Sequence, residues 1–300
     1  MNLDGRREKT LHICFGSECN NNCIFCMEER FIEYNKKTTL DEHINSIKNS
    51  LKEKFTRIVF TSKEPTLSYK ELIPIIEYSK KVGYEDIMLV TNGRLLKYRK
   101  LVEKLINSGL NHIEISLHGS NRKIHELLTR TPGSFDDAVQ GIENIKSLSK
   151  ANKINYTINF TVTFFNYKDI IDFYNFAMSF NPKKIIFNCF MPTHSSASHM
   201  LIPKYSDIRM SFEKIKGKKF TLIDFPICVF SDSFSKNLGN IEDYHISDDF
   251  GENYITDPWK SSKAKLESCA VCIYKECCQK PSKEYIKKYG ASEFKSITSK

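Results

Sequence analysis

No stretch of this sequence is long and apolar enough to span a membrane, and its first ten residues, MNLDGRREKT, lack the apolar core of a secretory signal peptide. A cytoplasmic location is therefore expected by default. Internal repeats and low-complexity linkers are also absent. With 40% hydrophobic and 27% charged residues, the 300-residue chain has the composition of a globular protein, and its length predicts one large domain with a small appendage.

The chain has little excess charge. Its 45 basic and 36 acidic residues give a net charge of +9, which is modest and spread along the sequence. The nearest approach to a basic run comprises Lys214, Lys216, Lys218 and Lys219, and it has no interleaved aromatic residues. Such a run is typical of a solvated lysine-rich surface, so nucleic acid is disfavoured as a partner.

Cysteine is the residue type with the most informative arrangement. Ten cysteines are present, and cytosolic cysteines rarely form disulfides, so tight groups of them indicate metal or redox chemistry. Six of the ten fall in two such groups: Cys19, Cys23 and Cys26, and then Cys269, Cys272 and Cys278.

Between residues 10 and 190 short apolar runs alternate with longer amphipathic segments. The candidate strands, rich in Ile, Val and Phe, are Thr10–Phe15, Arg57–Thr61, Asp86–Val90, His112–Ser116, Asn155–Val162 and Lys184–Cys189. Thr39–Glu42 and Ser68–Glu71 are typical capping boxes, and Gly83 and Gly109 mark helix ends. Six such units predict a parallel α/β sheet. Periodicity alone leaves open whether the sheet curls into a partial barrel or stays open and doubly wound.

After residue 205 this alternation stops. The remaining sequence has a possible hairpin near Phe220–Phe230, a polar stretch through Asp257, and then the second cysteine group. We therefore predict two domains, a sheet-and-helix domain over residues 1–205 and a small cluster-bearing domain over residues 206–300.

The first cysteine group, Cys19-Asn-Asn-Asn-Cys23-Ile-Phe-Cys26, directly follows a candidate strand. Three thiolates at this spacing can hold three irons of a 4Fe-4S cubane, and the fourth iron is then free to bind a cofactor or substrate. Zinc is the alternative, but zinc sites normally have four ligands in pairs. No local histidine completes such a set, because His12 and His43 belong to the preceding strand and the following helix.

These residues resemble the signature of the radical S-adenosylmethionine (radical SAM) superfamily, CxxxCxφC, in which Phe25 is the aromatic residue φ. Further segments match the family's motifs in order after the second, third and fourth strands: Ser62–Leu67, Thr91–Gly93, Ser116–Gly119, His125–Arg130 and Pro132–Phe135. All of these lie at or beyond the carboxyl ends of strands, where α/β folds bind ligands. The resemblance implies a partial (β/α)6 barrel that resembles an incomplete TIM barrel.

The resemblance also implies roles for five side chains around the cofactor SAM, which would chelate the open iron. Glu64 would accept a hydrogen bond from its ammonium group, and Arg130 would offer a fork for its carboxylate. Asn92 and Ser116 would supply neutral hydrogen bonds, and Phe25 would lie beside the adenine. Each has a structural alternative, such as a plain turn at Asn92 or a surface ion pair at Arg130.

One segment departs from the family pattern. Ser62 and Lys63 replace the two glycines that precede the family's Glu-Pro pair, which is retained here as Glu64-Pro65. Glycine at this point lets the backbone approach SAM closely. Lys63 must therefore point away from the site or join it.

The second group has the spacing CxxCxxxxxC, which resembles the auxiliary-cluster domains called SPASM and their shortened form, twitch. The resemblance implies a second 4Fe-4S cluster with Cys269, Cys272, Cys278 and the upstream Cys228 as ligands. Cys277 is an alternative to Cys278, although the five-residue gap favours Cys278. A structural zinc site remains the alternative for this group, since four thiolates also suit zinc. Whether the auxiliary cluster keeps an open iron is left undecided.

By this resemblance, the protein is expected to cleave SAM reductively to a 5′-deoxyadenosyl radical that abstracts hydrogen from a substrate, as an anaerobic oxidoreductase. An auxiliary cluster favours net oxidation, and maturation of a ribosomally made peptide is the first prediction. A small-molecule dehydrogenase and a non-catalytic iron–sulfur sensor or electron carrier are the alternatives. The expected partners are a flavodoxin- or ferredoxin-like electron donor and, because little sequence precedes Cys19, a separate leader-peptide-binding protein. No catalytic side chain is assigned.

Overall fold

The computed structural model describes residues 10–26, 39–192, 198–239, 244–246, 262–275 and 278–299. Within these residues the strands are β1 (Thr10–Cys14), β2 (Arg57–Thr61), β3 (Asp86–Thr91), β4 (His112–Ser116), β5 (Asn155–Val162), β6 (Lys184–Cys189), β7 (Thr221–Ile223) and β8 (Tyr244–Ile246). The helices are α1 (Leu40–Lys52), α2 (Tyr69–Val82), α3 (Arg99–Asn107), α4 (Arg122–Thr129), α5 (Ser134–Asn152), α6 (Ile170–Ser179), α7 (Ser198–Leu201), α8 (Tyr205–Glu213), α9 (Ile227–Phe234), α10 (Glu267–Ala270) and α11 (Lys283–Tyr289). No described helix is long and apolar enough to cross a membrane.

The strands form one parallel sheet in the order β7-β6-β5-β4-β3-β2-β1-β8, curled into a half-barrel. All six strands expected from the sequence are present, and the parallel α/β partial barrel is confirmed. Two short strands, β7 and β8, extend its edges and come from beyond residue 205, although the sequence pattern shows no strand-and-helix unit there. The division into domains at residue 205 stays a prediction.

The hairpin expected near Phe220–Phe230 is wrong. Only Thr221–Ile223 is extended, and it pairs in parallel with β6 rather than with a following strand. The chain then enters α9, whose Phe230 and Phe234 are both fully buried. Their spacing of four residues places them on one face of a helix. The nearby Phe220 and Phe225 do not follow this spacing, so the helical periodicity is not evident from the sequence.

Of the two capping boxes that the sequence predicts, only the first is present. The capping box of α1 is confirmed, because Thr39 Oγ1 accepts from Glu42 N (3.3 Å) and Glu42 Oε2 accepts from Thr39 N (2.8 Å). The box expected at Ser68 is wrong, since Ser68 makes no side-chain cap. A 3₁₀ turn at Pro65–Ser68, capped by Glu64, leads into α2 instead. The 3₁₀ turn thereby places Glu64 just beyond the carboxyl end of β2.

The two faces of the sheet differ in polarity. Alternate strand residues such as Leu11, Ile58 and Leu89 are fully buried in the core that the helices cover. On the opposite face, Val59, Met88 and Ile186 are buried, but toward the carboxyl ends of the strands the residues are half-buried and mostly polar. These residues are Cys14, Thr61, Val90, Glu114, Ser116, Asn159, Thr161 and Asn188. A parallel sheet packed on both faces is normally apolar on both. The polar inner face therefore suits a ligand rather than a second core.

The C-terminal part of the chain packs against the half-barrel. Phe187 of β6 meets Phe212 of α8 and Phe220 edge-on, with ring centroids 5.0 and 5.6 Å apart. Tyr285 of α11 stacks on Tyr205 at 4.3 Å, and its hydroxyl accepts from Tyr205 N at 2.9 Å. Aromatic packing thus holds α8, α9 and α11 beside the β6–β7 end of the sheet.

A close backbone contact between α5 and the turn after β3 gives a first prediction. A Cβ on Gly141 would lie 2.5 Å from Gly93 O and 3.1 Å from Leu96 Cβ. Gly141→Ala should therefore lower the free energy of unfolding by about 1–3 kcal/mol, although alanine ordinarily favours a helix over glycine. Urea denaturation measures the change, with Gln140→Ala on the exposed face of α5 as control. An unchanged or higher midpoint for Gly141→Ala would contradict the contact.

Candidate functional site

The three cysteines of the first group lie on the loop that follows β1. Cys19 is exposed, and Cys23 and Cys26 are half-buried. Asn21 N points at Cys19 Sγ at 3.4 Å, and Cys26 N donates to Cys23 O at 3.1 Å. The loop thus carries its thiols at the carboxyl edge of the sheet, where the resemblance predicts a ligand.

The thiols are near enough to affect one another's ionisation. Burial, and to a smaller extent the neighbouring Cys19 and Cys26, raise the pKa of Cys23 to about 12. Burial also raises the pKa of Cys19, while the Asn21 N–H opposes that shift. The ligand form of cysteine is the thiolate, so these groups can ionise together only with a bound cationic centre.

The donor set fits an iron–sulfur cluster better than a single zinc ion. No three His, Cys, Asp or Glu side chains in the described part of the chain are grouped closely enough to hold one metal ion. A cubane places its thiolate ligands on separate irons and so needs them farther apart. Cys19, Cys23 and Cys26 would then hold the cluster and leave one iron without a protein ligand.

Arg94, to which the sequence analysis assigns no role, holds this loop in place by hydrogen bonds. Arg94 Nη1 donates to the backbone oxygen of Asn20 and to Asn21 Oδ1 (3.4 Å). Its Nε and Nη2 both donate to Asp137 Oδ2 at 3.1 Å, and Lys97 Nζ donates to Asp137 Oδ1 at 2.8 Å. Because Asp137 fixes the guanidinium, Arg94 is oriented before it meets the loop. Asp137 lies 43 residues away along the chain, so no local pattern could have indicated the pair.

Arg130 holds the next part of the loop. Its Nε donates to Asn22 O at 2.8 Å and its Nη2 to Asn22 Oδ1 at 3.0 Å. Alongside, Asn22 N donates to Thr129 O (3.0 Å) and Ile24 N to Leu128 O (2.9 Å). The last carbonyl groups of α4 therefore accept hydrogen bonds from the backbone of the loop. Arg130 therefore hydrogen-bonds to the cysteine loop rather than forming a surface ion pair within the described residues. Its role toward the SAM carboxylate stays a prediction.

Glu64 joins two of the motifs. Its carboxylate is fully buried and accepts from Thr66 N (3.1 Å), Thr66 Oγ1 (2.5 Å), Thr91 Oγ1 (2.6 Å) and Asn92 N (2.7 Å). Burial raises the pKa of Glu64, and these four donors act against that shift. Its own N–H donates to Glu18 O at 3.0 Å. Glu64 thus connects β2 and β3 to the cysteine loop, and acceptance from the SAM ammonium stays a prediction.

Asn92 forms both a turn and a contact with the loop. Its Nδ2 donates to Asn20 Oδ1 at 2.7 Å and lies 3.8 Å from Cys19 Sγ, while its Oδ1 accepts from Arg94 N at 3.1 Å. Gly93 follows with a φ of +77°, and a Cβ there would meet Ile115 at 2.7 Å. The Asn-Gly pair is therefore required by packing as well as by its position near the thiols.

Ser116 and Phe25 complete the predicted set. Ser116 ends β4 on the inner face, and its hydroxyl bonds to no other residue within the described ranges. The Phe25 ring meets His118 edge-on, with centroids 4.6 Å apart. Burial holds the pKa of His118 well below its usual value, and its Nδ1 accepts from Thr161 N at 3.1 Å. A neutral histidine thus supports Phe25, and the sequence reasoning had assigned it no role.

The four cysteines expected to hold an auxiliary cluster meet at one pocket. Its lining comprises Ile227, Cys228, Ser268, Cys269, Cys272, Lys275, Cys278, Lys280, Phe294 and Lys295. Ile227 N donates to Cys278 Sγ at 3.3 Å. Burial, and to a smaller extent the other three cysteines, raise the pKa of Cys278 to about 12. Cys277, the alternative ligand, lies outside the described residues.

The fold and the three-cysteine loop define the class of protein. The chain belongs to the Radical SAM superfamily, whose model matches residues 13–177. Membership implies SAM and a 4Fe-4S cluster as cofactors.

Two relatives are probable GTP 3′,8-cyclases. That of Methanocaldococcus jannaschii is 32% identical over 174 residues, which are 58% of this chain and 56% of that protein. That of Sulfolobus acidocaldarius is 32% identical over 182 residues, 60% of this chain and 56% of that protein. The chain thus spans little more than half the length of the curated relatives it matches.

Solved structures share the fold at low sequence identity. Streptococcus suis SuiB bound to its precursor peptide SuiA has a TM-score of 0.63 and 15% identity, covering 96% of this chain and 74% of that one. Native anSMEcpe with bound AdoMet and Cp18Cys peptide has a TM-score of 0.65 and 17% identity, covering 95% and 96%. Both extend the likeness beyond the half-barrel to nearly the whole chain.

The contacts of Arg94 with Asp137 and with the cysteine loop give a second prediction. Arg94→Lys keeps the charge but loses the bidentate contact with Asp137, so the cysteine loop should be held less firmly. Chelators should then remove iron from the first site about tenfold faster under anaerobic conditions. The control is Arg122→Lys, because Arg122 pairs with Asp136 at 2.6 Å on an exposed surface. Equal rates for the two variants would contradict the role of Arg94.

The replaced glycines give a third prediction. Ser62 has a φ of +89°, whereas Lys63 does not have a positive φ. Ser62→Gly should therefore raise the free energy of unfolding by about 1 kcal/mol, because the left-handed conformation is strained for serine. Lys63→Gly should lower it by about 0.5–1 kcal/mol, because glycine only adds freedom to the unfolded chain there. Thermal denaturation of both variants checks the pair, and the opposite order would show that strain at Ser62 is negligible.

Proposed function

We propose that this radical SAM enzyme oxidatively modifies a peptide, with a catalytic cluster on the Cys19 loop and an auxiliary cluster in the Cys228 pocket. The observation that carries the proposal is the separation of seven cysteines into two thiol sets, one of three and one of four. Three thiols leave an iron open for SAM, whereas four can saturate a cluster. A second, saturated cluster suits removal of electrons from a substrate, which favours oxidation over isomerisation.

The bound cofactors would supply a 5′-deoxyadenosyl radical, which abstracts hydrogen from the substrate. The chain's own residues bind and orient them. Cys19, Cys23 and Cys26 hold the cluster, while Arg94 and Arg130 hold the backbone between these cysteines. In this proposal Glu64, Asn92, Ser116 and Arg130 bind the polar groups of SAM, and Phe25 contacts its adenine. Residues 206–300 form the auxiliary-cluster domain.

A peptide substrate is supported by the surroundings of the barrel mouth. Phe164 and Phe165, just beyond β5, are 48% and 42% exposed, and Met200 beside them is 63% exposed. Phe164 N donates to Leu201 O at 2.8 Å, which holds these apolar side chains on one surface. Exposed apolar groups of this kind suit side chains of a peptide. Peptides are also bound by SuiB and by anSMEcpe. A separate leader-binding protein remains part of this proposal.

A small-molecule substrate is the second candidate, and the observation that favours it is the identity of 32% to probable GTP 3′,8-cyclases. A non-catalytic sensor or carrier is the third, favoured by Ser62 and Lys63 in place of glycine. A short peptide gene beside the gene for this protein would favour the first candidate over the second.

The fourth prediction tests the two thiol sets. Anaerobically reconstituted protein should contain about eight irons, and Cys19/Cys23/Cys26→Ala about four, with 5′-deoxyadenosine formed only by the former. Cys269/Cys272→Ala should also contain about four irons but should keep SAM-induced changes in the EPR spectrum. Cys14→Ala, outside both sets, serves as control.

If the second site contains zinc instead of iron, the proposed auxiliary cluster is wrong, but the proposed catalytic cluster on the Cys19 loop is unaffected. Absence of 5′-deoxyadenosine from the wild-type protein with bound iron would support the sensor or carrier instead.

A further inference from the structure

The charge of the chain is less evenly distributed than its sequence first suggests. After residue 262 there are nine lysines and four glutamates, a net charge of +5 out of +9 for the whole chain. About an eighth of the sequence thus carries more than half of the excess charge. The four-thiol pocket lies in this segment.

Three of these lysines, Lys275, Lys280 and Lys295, line the mouth of the pocket and are called the basic rim below. Lys275 and Lys295 are exposed, and Lys280 is half-buried. None of the three side chains forms an ion pair or hydrogen bond with another residue of the described ranges. Among the described residues, no neighbour therefore neutralises their charges.

Two of the four glutamates in this segment, Glu284 and Glu293, are turned toward the protein, whereas Glu267 is exposed and Glu276 lies outside the described residues. Glu284 pairs with His199. Glu293 accepts from the Tyr285 hydroxyl and from Ser206 N, the latter at 2.8 Å. Both carboxylates hold α11 and its following turn against the barrel, so they do not neutralise the basic rim.

The surface beside the rim has an apolar part. Val271 and Ile273 follow Cys269 and flank Cys272, and they are 66% and 43% exposed. Ile273 N donates to Ile297 O at 2.8 Å, which joins the segment carrying Lys275 to the one carrying Lys295. Two exposed apolar side chains beside the three lysines of the basic rim suit a protein partner with an acidic surface.

We propose that the basic rim, with Val271 and Ile273, is the docking surface for an acidic one-electron carrier protein of the flavodoxin or ferredoxin class. This inference rests on the proposed auxiliary cluster, because a carrier docked there would lie directly over the four-thiol pocket. Nucleic acid fits less well, since an exposed valine and isoleucine offer neither stacking nor hydrogen bonds to bases.

The test is a binding measurement with an oxidised flavodoxin as the probe and full-length reconstituted protein as the partner. The variant is Lys275/Lys280/Lys295→Glu, with the corresponding Gln variant as a milder change. The matched control is Lys214/Lys216/Lys219→Glu, which reverses three exposed lysines of another surface and alters the net charge equally. Iron content is measured on every sample.

At low ionic strength the rim variant should bind flavodoxin at least about tenfold more weakly than wild type, and the control less than about threefold. The Gln variant should fall between them, and high salt should abolish the differences. Equal weakening of rim and control variants would overturn the proposal. Loss of iron from both rim variants would also overturn it, because the lysines would then serve the cluster itself.

A DNA duplex bound with the same dependence on the rim, in place of flavodoxin, would overturn it in favour of nucleic acid. The proposed function is tested separately by the iron content. If wild-type protein contains only about four irons, the proposed auxiliary cluster is wrong, independently of the result for flavodoxin binding.

Discussion

The cysteine loop has no helix or strand of its own, so its shape depends on hydrogen bonds from the ends of neighbouring strands. Arg94, beyond β3, holds Asn20, and Arg130, beyond α4, holds Asn22. Glu64 N, beyond β2, donates to Glu18 O at 3.0 Å. Three cysteines can present thiols to one cluster only while the backbone between them is fixed, and these contacts fix it. Most of the remaining geometry serves to hold these groups in position.

That support extends to groups distant from the thiols. Arg94 is oriented by Asp137 on α5, and the same helix meets the turn at Gly93 through Gly141, which has no side chain to separate them. Glu64 is buried and satisfied by two threonines and the backbone of Asn92. A charge buried in this way is costly unless its hydrogen bonds are complete. Cluster binding and barrel packing are therefore coupled through shared residues.

The sequence predicts this fold well where the information is local or periodic. Strand positions, the cap at Thr39 and the helix ends at Gly83 and Gly109 all follow from patterns of a few residues. Convergence of Cys228 on a pocket with Cys269, 41 residues later, was expected only through a family resemblance. Arg94 had no such resemblance to indicate it, and its partner Asp137 is distant in sequence. The capping box predicted at Ser68 is absent because Glu64, four residues earlier, caps a 3₁₀ turn that ends at Ser68.

The superfamily motifs and the polar inner face of β5 and β6 occupy different parts of the half-barrel. The motifs that match the superfamily lie beyond β1 to β4, and the side chains of Asn92 and Arg130 among them contact the cysteine loop. On β5 and β6 the inner face carries Asn159, Thr161 and Asn188 instead, and Asn188 Oδ1 is buried without a partner in the described part of the chain. A buried acceptor of this kind is expensive unless a ligand satisfies it. Such a residue can change the preferred substrate without disturbing the loop. Specificity in this chain should therefore follow the inner face of β5 and β6 and the segment that packs beside them.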